Sequence, residues 1–103
     1  LHLIALLSKK SSHGSIDYPI ALLKMAKENG IKDVFIHAIF DGRGERSRSA
    51  SLFLDRLEKE MTKIGVGQVV SGIGRAMALD RNSNYHLTRK AYEALVFGVG
   101  KTI

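Results

Sequence analysis

The chain has 103 residues, 45% of them apolar, enough for one compact domain over residues 1–103 and too few for an assembly of several. Its lack of cysteine excludes a disulfide framework and a thiolate metal site, and favours a cytoplasmic origin. The formal net charge of +6 favours phosphate esters, acidic ligands or nucleic acid without choosing among them. The longest apolar run falls near the N-terminus and is broken by His2 and Ser8, far short of the ~20 residues needed to span a bilayer. No signal peptide or membrane anchor is visible.

Leu1 to Leu7 is nearly continuous apolar sequence, the pattern of a strand buried on both faces. Ser8 to Gly14 is polar and turn-prone, after which Ile16, Ile20, Leu23, Ala26 and Lys27 trace a helical stripe. Pro19 is tolerated there because it falls in the first turn, and Asn29-Gly30 supplies the stop. Asp33 to Phe40, with Val34, Phe35, Ile36 and Ile39, reads as the second strand. Ala50, Leu54, Leu57, Met61 and Ile64 mark an amphipathic helix ending at Gly65, with Asp55, Lys59 and Lys63 off the stripe. Val66 to Ile73 reads as the third strand. A last helix is predicted from Tyr85 to Phe97 on Leu87, Ala91, Ala94 and Leu95, closed by Gly98 and Gly100. The tail Val99 to Ile103 is expected to begin a further strand, and the chain is expected to be a piece of something larger. The βαβαβα alternation predicts an α/β fold, a three-layer α/β/α arrangement on a largely parallel sheet built from βαβ units.

Each predicted strand is followed by a loop that carries chemistry: His13, then Asp41-Gly42-Arg43, then Gly74-Arg75 with Asp80-Arg81. In open α/β sheets ligands bind in the crevice outside the carboxyl ends of the strands. These residues are therefore expected to converge on a site for an anionic, phosphorylated small molecule. An arginine offers a planar fork to phosphate or carboxylate, and a histidine beside it can hold or transfer a proton near working pH. Plainer readings stand beside these. His13 alone would be a solvated loop residue, and Arg43 would belong to a turn in which Asp41 bonds backbone and Gly42 supplies positive φ. Arg81 would pair with Asp80, itself a helix cap or an orienting carboxylate, and Lys9 and Lys10 would be solvated. His37 is expected to be a satisfied core histidine and His2 and His86 surface or structural residues, with no metal-ligand spacing. Arg43, Arg46 and Arg48 form a basic loop, but aromatics are few and no RNA-binding or helix-turn-helix signature accompanies it. Nucleic-acid binding ranks third.

The segments Leu1-His2-Leu3-Ile4-Ala5-Leu6-Leu7-Ser8, His37-Ala38-Ile39-Phe40-Asp41-Gly42-Arg43, Gly74-Arg75-Ala76-Met77-Ala78-Leu79-Asp80-Arg81 and Ala91-Tyr92-Glu93-Ala94-Leu95-Val96 resemble, in this order and without gaps, the substrate-binding domain of cofactor-independent phosphoglycerate mutase. The resemblance implies a glycolytic isomerase that interconverts 3-phosphoglycerate and 2-phosphoglycerate by way of a phosphoserine. Two manganese ions are implied in a second, alkaline-phosphatase-like domain, which is a candidate partner; this chain is implied to hold no cofactor and no catalytic residue. The family's loop Ser-Asp-Gly-Gly-Val-His-Ser-His puts its substrate-contacting histidine on His13, while Lys9, Lys10, Ser11 and Ser12 replace Asp-Gly-Gly-Val and Ser15 replaces the second histidine. Its Asp-Gly-Arg-Asp loop puts a substrate-binding arginine on Arg43, but the final aspartate, an acid/base at the sugar-acid hydroxyl, is Gly44, with Glu45 one position late. Two further substrate arginines fall on Arg75 and Arg81. Moving a phosphoryl group between two hydroxyls needs a base for the proton of the attacking hydroxyl and an acid for the leaving one, so binding is expected to outlast catalysis. Without the serine and metal ligands of the phosphatase-like domain the isolated chain is expected to be inactive. The competing expectation is a non-catalytic anion-binding or scaffold module, because the departures fall in the site loops while the strand and helix patterns are intact.

Overall fold

The computed structural model describes residues 1–9, 11–42 and 49–102. The elements run β1 (His2–Leu7), α1 (Asp17–Glu28), β2 (Phe35–Phe40), α2 (Ser49–Ile64), β3 (Gln68–Gly74), α3 (Arg75–Ala78) and α4 (Tyr85–Phe97). The strands form one parallel sheet in the order β1-β2-β3. Successive right-handed crossovers in one direction deliver both connecting helices to the same face. Accordingly Leu23 and Ala26 of α1 and Leu57 and Met61 of α2 pack with Leu7, Ile36 and Ala38 in one core. α3 and α4 pack on each other and against β3.

The α/β class and parallel sheet agree with the sequence pattern, and the differences have local causes. β1 is buried only towards its C-terminal end, and Ile4 is 61% exposed. It is an edge strand whose α1/α2 face alone is covered at that level. Leu6, on the other face, is buried under the following loop, where a Cβ on Gly14 would lie 3.2 Å from the Leu6 Cβ. β3 begins at Gln68 rather than Val66, because Gly65 and Gly67 both have left-handed φ, +87° and +108°, which no strand continues. Val66 is instead buried in the core. The short α3 follows β3 at once, where the sequence pattern gave no helix. No strand is present over 98–102: the left-handed Gly98 turns the chain, and the Val99 amide donates back to the Glu93 carbonyl to close α4. Of the α4 stripe only Ala91 is buried.

A polar line crosses the sheet. His2 Nδ1 and His37 Nε2 share a hydrogen bond of 2.9 Å, and His37 Nδ1 lies 2.7 Å from Ser71 Oγ. His37 is buried; burial first, and the neighbouring His2 second, push its pKa below the ordinary 6.5. This is the satisfied core histidine that the strand position implied.

Candidate functional site

The loop after β1 leaves the sheet at the buried Ser8, whose carbonyl accepts from the Ile16 amide at 2.8 Å. Within it the Ser11 amide donates to the Gly14 carbonyl and the His13 amide to Ser11 Oγ, both at 3.1 Å. These bonds make a tight turn that holds His13 out at its exposed tip. Ser15 is used locally: its hydroxyl donates to the Lys9 carbonyl and accepts from the Asp17 amide at the start of α1.

The loops after β2 and β3 are joined by their register. Phe40 lies opposite Gly74, so the next residues, Asp41 and Arg75, emerge side by side although 34 positions apart. Arg75 Nη1 donates to Asp41 Oδ1 at 2.6 Å, with the side chains only 17% and 6% exposed. The Asp41 carboxylate thus engages Arg75, and Gly42 takes positive φ, +62°, while the backbone beyond it that the turn reading invokes lies outside the described residues. Arg43, together with Gly44, Glu45, Arg46 and Arg48, lies outside the described residues.

Past the single turn of α3, Asp80 organises the connection to α4. Its carboxylate accepts from the Asn84 amide at 2.8 Å, the Asn84 side-chain amide at 3.1 Å and the Asn82 amide at 3.3 Å. The Asn84 side-chain bond is the main reason the Asp80 carboxyl titrates below its ordinary range. Asp80 thus holds a loop and does not pair with Arg81, contrary to the plainer reading of that arginine. Arg81 is exposed and makes no hydrogen bond or ion pair with another described residue.

Between the three loops lies a cleft of about 750 Å³, lined among the described residues by His13, Phe40, Asp41, Gly42, Gly74, Arg75, Ala76, Leu79, Asp80, Arg81 and Asn82. Three of the four candidate residues, His13, Arg75 and Arg81, are thereby brought together. Phe40 and Leu79 add apolar surface, a common background against which a few polar groups orient a ligand. The carboxylates in the cleft are both committed, Asp41 to Arg75 and Asp80 to its own loop, so Arg81 is left as a cation without a described counter-charge. Arg75 spends one of its five N–H donors on Asp41. Chemically, the cleft presents the guanidinium groups of Arg75 and Arg81 and the imidazole of His13 on one surface. Among the described residues no three His, Cys, Asp or Glu side chains converge as a metal donor set, so these residues do not fit the manganese pair, and no helix is long and apolar enough to cross a membrane.

Comparison with known proteins adds a second line of observation. Residues 1–103 match the family model described as BPG-independent PGAM N-terminus. The chain is 46% identical over 96 residues to the 2,3-bisphosphoglycerate-independent phosphoglycerate mutase of Acaryochloris marina, which covers 93% of this chain and 18% of that protein. It is 41% identical over 101 residues to the protein of the same name from Clostridium botulinum, covering 98% of this chain and 20% of the relative. The Listeria welshimeri protein of that name is 39% identical over 101 residues, again 98% of this chain and 20% of the relative. The chain spans about a fifth of the length of the curated relatives it matches.

Proposed function

The chain belongs to the BPG-independent phosphoglycerate mutase N-terminal family, and from that premise we propose that its cleft is the phosphoglycerate-holding part of such an enzyme. In this reading Arg75 and Arg81 bind the phosphate and carboxylate ends of 3-phosphoglycerate or 2-phosphoglycerate, Arg43 joins them, and His13 holds a proton at a ligand oxygen. The observation that carries the reading is the convergence of His13, Arg75 and Arg81, from two separate strand-following loops, on one cleft. Charge-assisted bonds from arginine to phosphate are the strong class of hydrogen bond. An exposed Arg81 gives up no ion pair with another described residue when it takes an anion.

The reaction of the longer enzyme is proposed to be isomerisation through a phosphoserine in a phosphatase-like domain, acting in the cytoplasm with this chain's cleft as its substrate partner. The chain's own part is to bind, orient and neutralise the phosphoglycerate. One observation also favours a binding role without chemistry for the isolated chain. Neither described carboxylate in the cleft is available as a base, since Asp41 and Asp80 are both engaged.

The test is calorimetric titration of the chain with 3-phosphoglycerate, beside Arg81→Ala and at two salt concentrations. Losing a charged hydrogen-bond donor removes about 1.5–3 kcal/mol, so binding weakened roughly ten- to hundred-fold in the variant, and weakened by salt in the parent, is the expected result. Equal binding by the variant, or no saturable binding by the parent, would overturn the assignment.

A further inference from the structure

We infer that Asp41 is a positioning residue for the cleft, holding the Arg75 guanidinium in its anion-binding direction before any ligand arrives; the inference rests on reading the cleft as an anion site. Asp41 follows directly on the end of β2, and the parallel register sets it beside Arg75 at the end of β3. Its carboxylate is nearly buried, a costly state unless an opposite charge and a hydrogen bond meet it. Arg75 Nη1 meets it at 2.6 Å. No other described residue bonds to the Asp41 side chain. A free arginine side chain carries substantial rotamer entropy, which ligand binding would otherwise have to remove. Anchored through one terminal nitrogen, the guanidinium loses that freedom on folding, and its remaining N–H groups keep one direction along the cleft lined by Gly74 and Arg81. Preorganisation of this kind raises affinity by lowering the cost of ordering.

Positioning by Asp41 and the cleft's net field predict opposite effects of removing the Asp41 charge. Asp41→Asn makes the chain more positive by one charge, which by field strength alone would tighten binding of an anion. Loss of positioning predicts the reverse. Titration of the chain with 3-phosphoglycerate is expected to show about tenfold weaker binding in Asp41→Asn, with no such weakening when Asp41→Asn is added to Arg75→Ala. Asp41→Glu keeps the charge but moves the carboxylate, and is expected to bind more weakly than the parent and more tightly than Asp41→Asn. Equal or tighter binding by Asp41→Asn would overturn the inference while leaving the anion site standing. Absence of binding by the parent chain would instead remove the site itself. A readout on the parent chain alone holds even where a variant fails to fold. In nitrogen-resolved NMR without ligand, distinct, slowly rotating Arg75 Nη–H resonances are expected, and averaged resonances would overturn the inference.

Discussion

His37 and Arg75 each meet a partner across the sheet or its loops, His2 for the one and Asp41 for the other. His37 titrates. Its pKa is lowered in the fold by burial and by His2, so between that lowered value and the ordinary 6.5 the unfolded chain binds more protons than the folded one. Stability therefore rises with pH through this window. The contribution is fully present above 6.5 and is lost as the pH falls towards the folded value. Thermal unfolding of the parent chain is expected to give a Tm that drops from pH 7.5 to pH 5, and His37→Gln is expected to flatten that slope. A variant with the same slope as the parent would assign the pH dependence to other groups.

At the scale of elements, the short link from α2 to β3 depends on Gly67. A Cβ there would stand 2.7 Å from Leu23 Cδ2 and 3.0 Å from Met61 Sδ, at a φ of +108°. Both the contact and the backbone conformation oppose a side chain, so Gly67→Ala is expected to cost about 1–3 kcal/mol. Gly74, with open space around its Cβ position and an extended φ of −72°, serves as the control and is expected to tolerate alanine with little loss. Denaturant titration of the two variants measures the contrast; equal losses would contradict it. The same link shows where sequence reading stops. The periodic stripes of α1 and α2 and the apolar run of β2 were legible, because one-sided or full burial imposes a pattern that local sequence carries. The start of β3 was not, because Val66 satisfies the apolar pattern while the glycines on either side bend the chain. That His13, Arg75 and Arg81 would line one cleft was legible from their positions after strands. The Asp41–Arg75 pair was not, since it is created by the Phe40–Gly74 register, and Asp41-Gly42 reads locally as an ordinary turn.

In the whole molecule, packing and binding are separated. The core of Leu7, Ile36, Ala38, Leu23 and Leu57 lies between the sheet and the α1/α2 pair, whereas the cleft lies at the carboxyl ends of the strands, where loops change with little effect on the core. A chain can therefore keep this fold while its loops depart from the mutase pattern at Lys9, Ser12 and Ser15. This separation gives a further expectation: purified chain supplied with manganese shows no conversion of 3-phosphoglycerate to 2-phosphoglycerate, and measurable turnover in a coupled assay would contradict the proposal that it only binds. The central claim, that separate loops form one anion site, is tested most directly by amide NMR mapping during titration with 3-phosphoglycerate. The account expects Gly14, Gly42, Ala76 and Asn82 to shift together and saturate with a single dissociation constant, while the amides of Lys59 and Lys63 on α2 stay still. Shifts spread over the lysines of α2, or confined to one of the three loops, would contradict it.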